Sequence, residues 1–455
     1  MIQMISANDS SGGLQMDFSK EAGNKVWAAF KDMKVYLEKS YRVLTDVDTD
    51  NYYTDSKGKK MYDGVSTLLN ANIGHCNKEL IEAVNEQFFR LDNTTLFTTT
   101  NDAALRCSEK LCKLTGDHYY SCFFTNSGSE ACDTAVKIVK KYSYMKGMKE
   151  CGIVSLKGAY HGSNLTAMKL GQGQYENEQY FNDCSGYYQI DVPSYESDDE
   201  EIGKCLAQYE ELIRTKEIGA VFMELIQLSN GVNILPESFV KGMYDISKKN
   251  GVLVVVDEVA TGFGRTGKMF ASEHYGIRGD LMMFAKGVTS GYFPMGGVLA
   301  VKEVYEAFAG GSEKLLENGF TTGGHPVGCA AALKNIEILE RENMSENSAE
   351  MGEYLLGRLK DELGGSFLVD EIRGKGLMLS ILFNDYQIIG MPEFGIADIL
   401  TNFAAGSGLL LYPDGPDTMI VAPVLNISRN ECDNIADILR DCIGKLEKCV
   451  KRRDK

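Results

Sequence analysis

Two stretches, Val252-Leu-Val-Val-Val-Asp257-Glu258 and Leu281-Met-Met-Phe-Ala-Lys286-Gly287, decide the fold of this chain. Each is a continuous apolar run that ends in charged residues. Runs of this kind are typical of parallel strands that are covered on both faces of a sheet. Ligands of such sheets bind beyond the carboxyl ends of the strands. Asp257 and Lys286 therefore stand where chemistry is expected.

The middle of the chain repeats this pattern of a short apolar run, a Gly- or Ser-rich turn and a helical stretch. Strands that alternate with helices predict an α/β fold built on a mostly parallel sheet. The further apolar runs are at 122–124, 153–156, 220–223 and 298–301.

The chain length of 455 residues exceeds what one ordinary core holds, which predicts a large domain and a smaller one. The last third departs from the strand–helix pattern, because 330–360 and 431–450 predict helices and 370–383 predicts a strand. We predict an N-terminal segment at 1–70 that contributes to the small domain, a large domain at 71–330, and a C-terminal part of the small α+β domain at 331–455.

Composition excludes several classes of protein. The formal net charge of −17 repels phosphate backbones and anionic lipids, so no nucleic acid or membrane partner is expected. Twelve cysteines without a Cys-x-x-Cys pair predict reduced thiols, and five dispersed histidines predict no metal site. Residues 1–13 lack the apolar region of a signal peptide. A cytoplasmic protein is expected.

The turn Thr125-Asn-Ser-Gly-Ser-Glu130 follows one apolar run and precedes an amphipathic helix face. Ser127 and Glu130 have the spacing of a capping box. The N-terminus of a helix offers N–H groups and a positive dipole end that suit a phosphate. A well-capped helix without a ligand explains the turn equally well, so the turn alone leaves both interpretations open.

Asp257 and Lys286 also have ordinary explanations when each is taken alone. A buried carboxylate is costly unless it is paired, so a structural ion pair explains Asp257. The amine of a lone lysine at a strand end most often extends to solvent at the edge of the sheet. Their combination favours chemistry, because a lysine held among apolar groups becomes nucleophilic toward an aldehyde. An acid, a lysine and a phosphate cup at strand ends match an aldehyde cofactor that carries a pyridinium and a phosphate.

The stretch Gly262-Phe-Gly264-Arg-Thr-Gly267 fits the G-x-G-x-x-G pattern of dinucleotide-binding turns. Such a turn must open a helix directly after its strand. Here Asp257 and Glu258 intervene, and two carboxylates would repel a pyrophosphate. We interpret the glycines as a tight loop near the active site.

Together these stretches resemble the class III, or omega, aminotransferases of the fold-type I enzymes that depend on pyridoxal 5'-phosphate (PLP). The resemblance implies a mostly parallel, seven-stranded sheet in the large, PLP-binding domain and a smaller α+β domain. It runs from about residue 45 to 425 and is carried by Phe123-Phe-Thr-Asn-Ser-Gly-Ser-Glu130, Gly158-Ala-Tyr-His-Gly162, Ala285-Lys-Gly287, Gly319-Phe-Thr-Thr-Gly-Gly-His-Pro326, and the stretches 51–64, 73–75, 255–267 and 373–376.

The resemblance implies a role for each matching residue. Lys286 forms the Schiff base with PLP and shuttles the proton, Asp257 pairs with the pyridine nitrogen, and Tyr160 stacks on the ring. Phe320 and Thr321 reach the phosphate of a neighbouring subunit, which implies a homodimer with shared active sites. The implied cofactor contacts are Ser127, Gly128, Ser129, Tyr160, His161, Glu224, Asp257, Val259, Lys286, Phe320 and Thr321.

Two departures from the family concern the substrate pocket, for which we predict Leu69, Phe97 and Tyr412 as wall residues. Leu69 stands where many members have a tryptophan, which implies a wider pocket. No arginine occurs between 409 and 425, where many members bind the substrate carboxylate. Arg373 is available for that purpose, but its Arg-Gly-x-Gly turn is more often structural.

The implied reaction moves an amino group from a primary amine or ω-amino acid to a keto acid or aldehyde, in two half-reactions. Two alternatives stay open, namely a racemase or aminomutase of the same fold and a non-catalytic homologue. Appearance of donor nitrogen in an added keto acid separates a transferase from the first alternative. The intact Lys286, Asp257 and Tyr160 argue against the second.

Overall fold

A seven-stranded sheet forms the centre of the computed structural model, which describes residues 26–30, 33, 42–171, 180, 183–389 and 394–452. Six of its strands run in one direction and one runs antiparallel. This confirms the predicted α/β class and the mostly parallel sheet. In spatial order the strands are Ser121–Thr125, Gly296–Ala300, Leu281–Phe284, Leu253–Asp257, Ile218–Met223, Gly152–Leu156 and Tyr187–Ile190.

Two strands of this sheet differ from the prediction. Gly296–Ala300 is antiparallel to both of its neighbours, because the loop that precedes it contains no crossover helix and returns the chain in the opposite direction. The edge strand Tyr187–Ile190 has no continuous apolar run, since its first three residues are only partly buried. Edge strands lack cover on one side, so the apolar-run criterion misses them.

Alternating side chains of each strand enter different cores. Val254 and Val256 pack toward the helices Asp199–Thr215 and Glu237–Lys249, whereas Val255 packs toward the helix Gly128–Met145. Both faces of the strand are therefore apolar, which explains why the run 252–256 has no polar residue.

Strands from both ends of the chain combine outside the central sheet. Leu409 and Leu410 pair in parallel with Tyr62 and Asp63. The segment predicted as one strand at 370–383 is a hairpin of two strands, because Gly376 turns the chain with a φ of 56°. The strands of these smaller sheets are Leu44–Val47, Tyr52–Asp55, Lys60–Asp63 and Leu409–Leu410; Val369–Lys375, Met378–Phe383, Thr418–Val421 and Tyr412–Pro413; Tyr386–Ile388 and Val450–Arg452; and Ile226–Gln227 and Asn233–Ile234.

The region predicted as helical at 330–360 forms two helices, which are separated at Asn343 by a residue with a φ of 49°. No helix of the described ranges is long and apolar enough to cross a membrane. The α-helices are Ser66–Leu69, Lys78–Arg90, Asp102–Leu114, Gly128–Met145, Leu165–Met168, Asp199–Thr215, Glu237–Lys249, Ser272–Tyr275, Lys302–Ala307, Pro326–Arg341, Met344–Leu363, Ile396–Gly406 and Arg429–Leu446.

The domain division at 70 and 330 stays a prediction. Its second boundary falls inside the continuous helix Pro326–Arg341, which packs on Lys78–Arg90 and Asp102–Leu114. A cut at 330 would divide that helix, so we expect the true boundary to lie beyond its end. Of the predicted N-terminal segment, 1–25, 31–32 and 34–41 lie outside the described residues.

Candidate active site

The carboxyl ends of three neighbouring parallel strands supply the charged residues of one cavity. Asp257 ends its strand, Glu224 follows Ile218–Met223, and Lys286 follows Leu281–Phe284. The cavity has a volume of about 420 Å³. The other predicted cofactor contacts on its wall are Ser127, Gly128, Ser129, Tyr160, His161 and Val259.

Lys286 occupies an unusual backbone position directly after its strand. Its φ of 44° lies in the left-handed region, which is costly for a residue with a side chain. Burial lowers the pKa of the Lys286 amine, Glu224 and Asp257 act in the opposite direction, and the Arg265 guanidinium lowers the pKa further. Because the net direction is downward, more of this amine is neutral at a given pH than in an exposed lysine.

Asp257 is buried and hydrogen-bonded through both of its carboxylate oxygens. Its Oδ2 lies 2.7 Å from His161 Nδ1, and its Oδ1 accepts from the Val259 N–H at 2.9 Å. Each oxygen has a second lone pair, so Asp257 can accept a further hydrogen bond from a protonated ring nitrogen. The contact with His161 has no signal in the sequence, because the two residues are 96 positions apart.

The turn before the helix Gly128–Met145 forms the predicted cup. Ser127 caps the helix, and its Oγ accepts from the Glu130 N–H at 3.2 Å. The Glu130 carboxylate accepts from the Asn126 N–H at 2.7 Å, so the reciprocal half of a capping box reaches one residue further back than predicted. The first N–H groups of a helix have no acceptor within the helix and are available to an anion.

Glycines let the backbone approach the cavity closely. A Cβ at Gly128 would lie 2.8 Å from Val259 Cγ1, and a Cβ at Gly162 would lie 2.5 Å from Ser129 Oγ. Neither position has room for a side chain. The wall near the phosphate cup is therefore made of backbone and small side chains.

Glu224 ties the strand end to two loops that border the cavity. One oxygen accepts from the Tyr160 N–H at 3.1 Å and the other from the Leu228 N–H at 3.0 Å. Burial, with a contribution from Asp257, raises the pKa of Glu224 to about 7. Tyr160 is 41% exposed, so its ring stands at the cavity rim.

Leu69 does not line the cavity, and Leu68 does. Ser66, Thr67 and Leu69 have φ angles of 46°, 65° and 55°, which break the regular alternation of this short segment. Leu69 is consequently buried in a core cluster with Val65, while Leu68 faces the cavity. In the proposed pocket Leu68 therefore replaces Leu69.

The other predicted wall residues do not border the cavity within one chain. Phe97 is 65% exposed, and its ring lies against the backbone of Gly319. Tyr412 is partly exposed; burial, followed by Asp414 and Tyr160, raises its pKa. Phe320 and Thr321 also lie off the wall of this cavity.

Part of the cavity wall has no signal in the sequence. Phe293, Pro294 and Met295 line the cavity because the antiparallel strand Gly296–Ala300 starts at the edge where the parallel strands end. The position of these three residues depends on the direction of the strand that follows them, and the apolar pattern does not encode that direction. Further wall residues are Leu68, Asn70, Leu228, Ala260 and Thr289.

Arg373 serves the structure and does not point a free guanidinium into the cavity. It donates from Nε to the Gly231 carbonyl at 2.7 Å and from Nη2 to the Asn230 carbonyl at 2.9 Å. Its Nη1 pairs with Glu371 at 3.1 Å. These partners fix the turn that carries Leu228.

The glycine-rich stretch 262–267 forms a tight loop, as predicted, and does not open a helix. Phe263, Gly264 and Gly267 have positive φ angles of 57°, 92° and 89°. The loop presents Arg265, which is fully buried. Its guanidinium donates to the hydroxyl, amide and carbonyl oxygens of Ser66, Asn72, Leu377 and Pro423.

The residues of the cavity fit PLP on three structural grounds. The lysine amine has a lowered pKa, which suits reaction with an aldehyde. Asp257 is a buried acid with capacity for a pyridinium N–H. The helix start at Ser127 and the position of Gly128, where no Cβ fits, suit a phosphate. No cluster of three metal-ligating side chains occurs in the part of the chain that the structure describes.

Comparison with known proteins agrees with this site. The chain matches the family described as Aminotransferase class-III over residues 37–443. It is 33% identical to the putrescine–pyruvate aminotransferase of Pseudomonas aeruginosa, with 92% of this chain and 94% of that protein covered. It is 34% identical to the omega-amino acid–pyruvate aminotransferase of Pseudomonas putida, with 87% and 90% covered.

A solved structure is equally similar. The (S)-enantioselective omega-transaminase from Thermomicrobium roseum superimposes with a TM-score of 0.87 at 32% identity, and the alignment covers 92% of this chain and 96% of that one. The family match over 37–443 includes every strand of the central sheet and the smaller sheet that pairs Tyr62 and Asp63 with Leu409 and Leu410. The chain belongs to the class-III aminotransferases, a family of PLP-dependent transaminases.

Proposed function

We propose that this protein binds PLP in the cavity around Lys286 and transfers the amino group of a primary amine or ω-amino acid to a keto acid or aldehyde. The observation that carries the proposal is the meeting of Lys286, Asp257 and the Ser127 turn at one sheet edge. The names of the two curated relatives support pyruvate as a first acceptor to test.

PLP, when bound, supplies an electron sink that stabilises charge at the carbon next to the amine. The side chains of this protein do the rest. Lys286 Nζ carries the proton to and from that carbon, which its lowered pKa favours near neutral pH. Asp257, oriented by His161 and the Val259 N–H, would accept a hydrogen bond from the ring N–H. Tyr160 and Val259, which both line the cavity, would hold the cofactor ring.

We also propose that the active unit is a homodimer. Phe320 and Thr321 lie off the cavity of their own chain, which is expected if they serve the phosphate of the other subunit. Phe97 lies against Gly319, the residue before Phe320, and is 65% exposed. A second subunit that covers this ring would gain from its burial. Sedimentation of the PLP-loaded protein tests this proposal, and a stable monomer with full activity would refute it.

The substrate pocket is proposed to favour amines of moderate bulk. Leu68, Leu228 and Phe293 give the cavity an apolar wall, and the arginine frequent in the family is absent from 409–425. A donor without a carboxylate can therefore pack against this wall without burying an unpaired charge.

The described cysteines are all free thiols, which supports a reducing compartment such as the cytoplasm.

The test starts with cofactor-free protein, PLP and borohydride. We expect the reduced cofactor to be found on the peptide that contains Lys286, and Lys286→Ala to retain none. Primary amines, diamines and ω-amino acids labelled with ¹⁵N are then tested as donors to pyruvate. Label in alanine supports amino transfer. Label that stays in a rearranged or inverted donor would instead indicate an aminomutase or a racemase.

A further inference from the structure

The loop that carries Lys286 needs external support. Lys286 and Ser290 both have left-handed φ angles, 44° and 49°, and Gly291 follows with 78°. A residue with a side chain is less stable in the left-handed region than in an ordinary backbone conformation. An isolated loop of this sequence would relax, so contacts from the rest of the protein must hold it.

Asn335 makes those contacts from the helix Pro326–Arg341. It is fully buried. Its Nδ2 donates to the Gly287 carbonyl at 2.8 Å and to the Val288 carbonyl at 2.9 Å. Its Oδ1 accepts from Ser290 Oγ at 2.6 Å. Both amide hydrogens and the carbonyl oxygen thus bind three of the four residues that follow Lys286.

The opposite side of the loop is closed by packing. A Cβ at Gly287 would overlap Asn72 Nδ2, and Asn72 is itself fixed by the Arg265 guanidinium at 2.9 Å. Ser290 Oγ accepts from the Ile73 N–H at 3.2 Å. Asn72 and Ile73 therefore limit where the loop can move, while Asn335 satisfies the carbonyls of the loop itself.

We propose that Asn335 is a positioning residue of this enzyme, which holds the Lys286 loop in the left-handed conformation that keeps the lysine amine inside the cavity. The inference rests on the proposed function, in which Lys286 carries the cofactor. Without Asn335, two buried carbonyls lose their donors and the φ of Lys286 is free to relax. The amine then reaches water, while the charged groups that act on it, Glu224, Asp257 and Arg265, stay in their own networks.

Three variants test the inference in cofactor-free protein. Asn335→Ala removes the whole amide, and Asn335→Asp keeps its shape but cannot donate to two carbonyls. Ser290→Ala leaves the amide in place and removes the hydroxyl that donates to Asn335 and accepts from the Ile73 N–H. Asn347→Ala is the matched control, since Asn347 also donates to two backbone carbonyls, those of Leu425 and Ile427, and lies off the cavity wall.

The measured quantity is the rate at which Lys286 captures PLP, as a function of pH. The captured PLP is fixed by borohydride reduction and located by peptide mapping. We expect both Asn335 variants to capture PLP at least tenfold more slowly at pH 7.5, with the pH midpoint of capture raised by about one unit because the amine is better hydrated. Ser290→Ala should give a smaller effect in the same direction. Asn347→Ala should match the unmodified protein in rate and midpoint, even where its thermal midpoint falls.

The outcomes separate the two proposals. If unmodified protein does not capture PLP on Lys286, the proposed function fails. If it does, and the Asn335 and Ser290 variants have the rate and midpoint of Asn347→Ala, the positioning role of Asn335 is wrong. Should both Asn335 variants fail to fold, Ser290→Ala decides, because an unchanged rate and midpoint in that variant would overturn the inference.

Discussion

Replacing Arg265 by methionine tests whether one buried cation joins the two ends of the chain to the central sheet. The guanidinium lies in the loop after Leu253–Asp257 and donates to Ser66 Oγ and Asn72 Oδ1 on one side. On the other side it donates to the carbonyls of Leu377 and Pro423. Methionine keeps much of the apolar stem and removes all five donors.

The expected loss follows from what is left unpaired. Two buried carbonyls and one amide oxygen lose a charged donor, and each such loss costs about 1 to 3 kcal/mol. The substitution also removes the cost of burying a charged guanidinium. That cost is large, since burial lowers the pKa of Arg265 to about 9. The relief of desolvation offsets three such losses only in part, so we expect a net loss near the low end of their sum, about 4 kcal/mol.

A change of about 4 kcal/mol corresponds to a fall of roughly 4 °C in thermal midpoint, since the entropy of unfolding is about 2.1 cal/mol/K per residue. Calorimetry of cofactor-free Arg265→Met measures this fall. Arg341→Met is the control: Arg341 makes a bidentate pair with Glu79 at 2.8 Å but is 45% exposed, so a fall of less than about 1 °C is expected. Equal midpoints for the two variants would refute the reasoning.

Three further predictions concern the cavity and the strand ends beside it. Gly128→Ala puts a methyl group 2.8 Å from Val259 Cγ1, so PLP should dissociate at least ~10-fold faster on dialysis, and adding Val259→Ala should restore its retention. Burial raises the pKa of Glu224 and Glu258 from 4.5 to about 7, so the folded state binds extra protons between these values. Cofactor-free protein should lose up to about 3 kcal/mol per carboxyl as pH rises through that window, and Glu258→Gln should flatten the slope of urea midpoints against pH. Leu68→Trp narrows the wall, so kcat/KM for branched amines should fall at least ~10-fold more than for a linear amine.

Apolar runs predicted the central sheet well because burial on both faces leaves a strong pattern. Five of the six runs read from the sequence are parallel strands of that sheet. The run 298–301 belongs to the antiparallel strand, and its direction depends on the loop before it. Loop geometry is set by a few positive φ angles, such as those of Lys286 and Ser290, that side-chain hydrophobicity does not encode.

The charged residues of the site followed from their positions at strand ends, because strand polarity fixes which edge of a parallel sheet they share. The residues that orient these charged groups could not be predicted in this way. His161 and Asn335 bind groups 96 and 48 positions away, and a single sequence carries no signal for such pairs. The wall residue is Leu68 and not the predicted Leu69 for a related reason. The positive φ angles of this segment determine which leucine faces the cavity, and the sequence pattern does not encode them.

The environment of Lys286 explains how an amine beside two carboxylates can have a lowered pKa. Isolated carboxylates would hold the lysine protonated. Here Asp257 is engaged by His161 and the Val259 N–H, and burial raises the pKa of Glu224 to about 7, which favours the neutral form of this carboxyl. Both acids therefore act on the amine more weakly than free carboxylates would. Burial then outweighs them, with Arg265 adding in the same direction. The nucleophilic amine thus depends on hydrogen bonds made by other residues to the two acids, and on the loop that keeps the amine away from water.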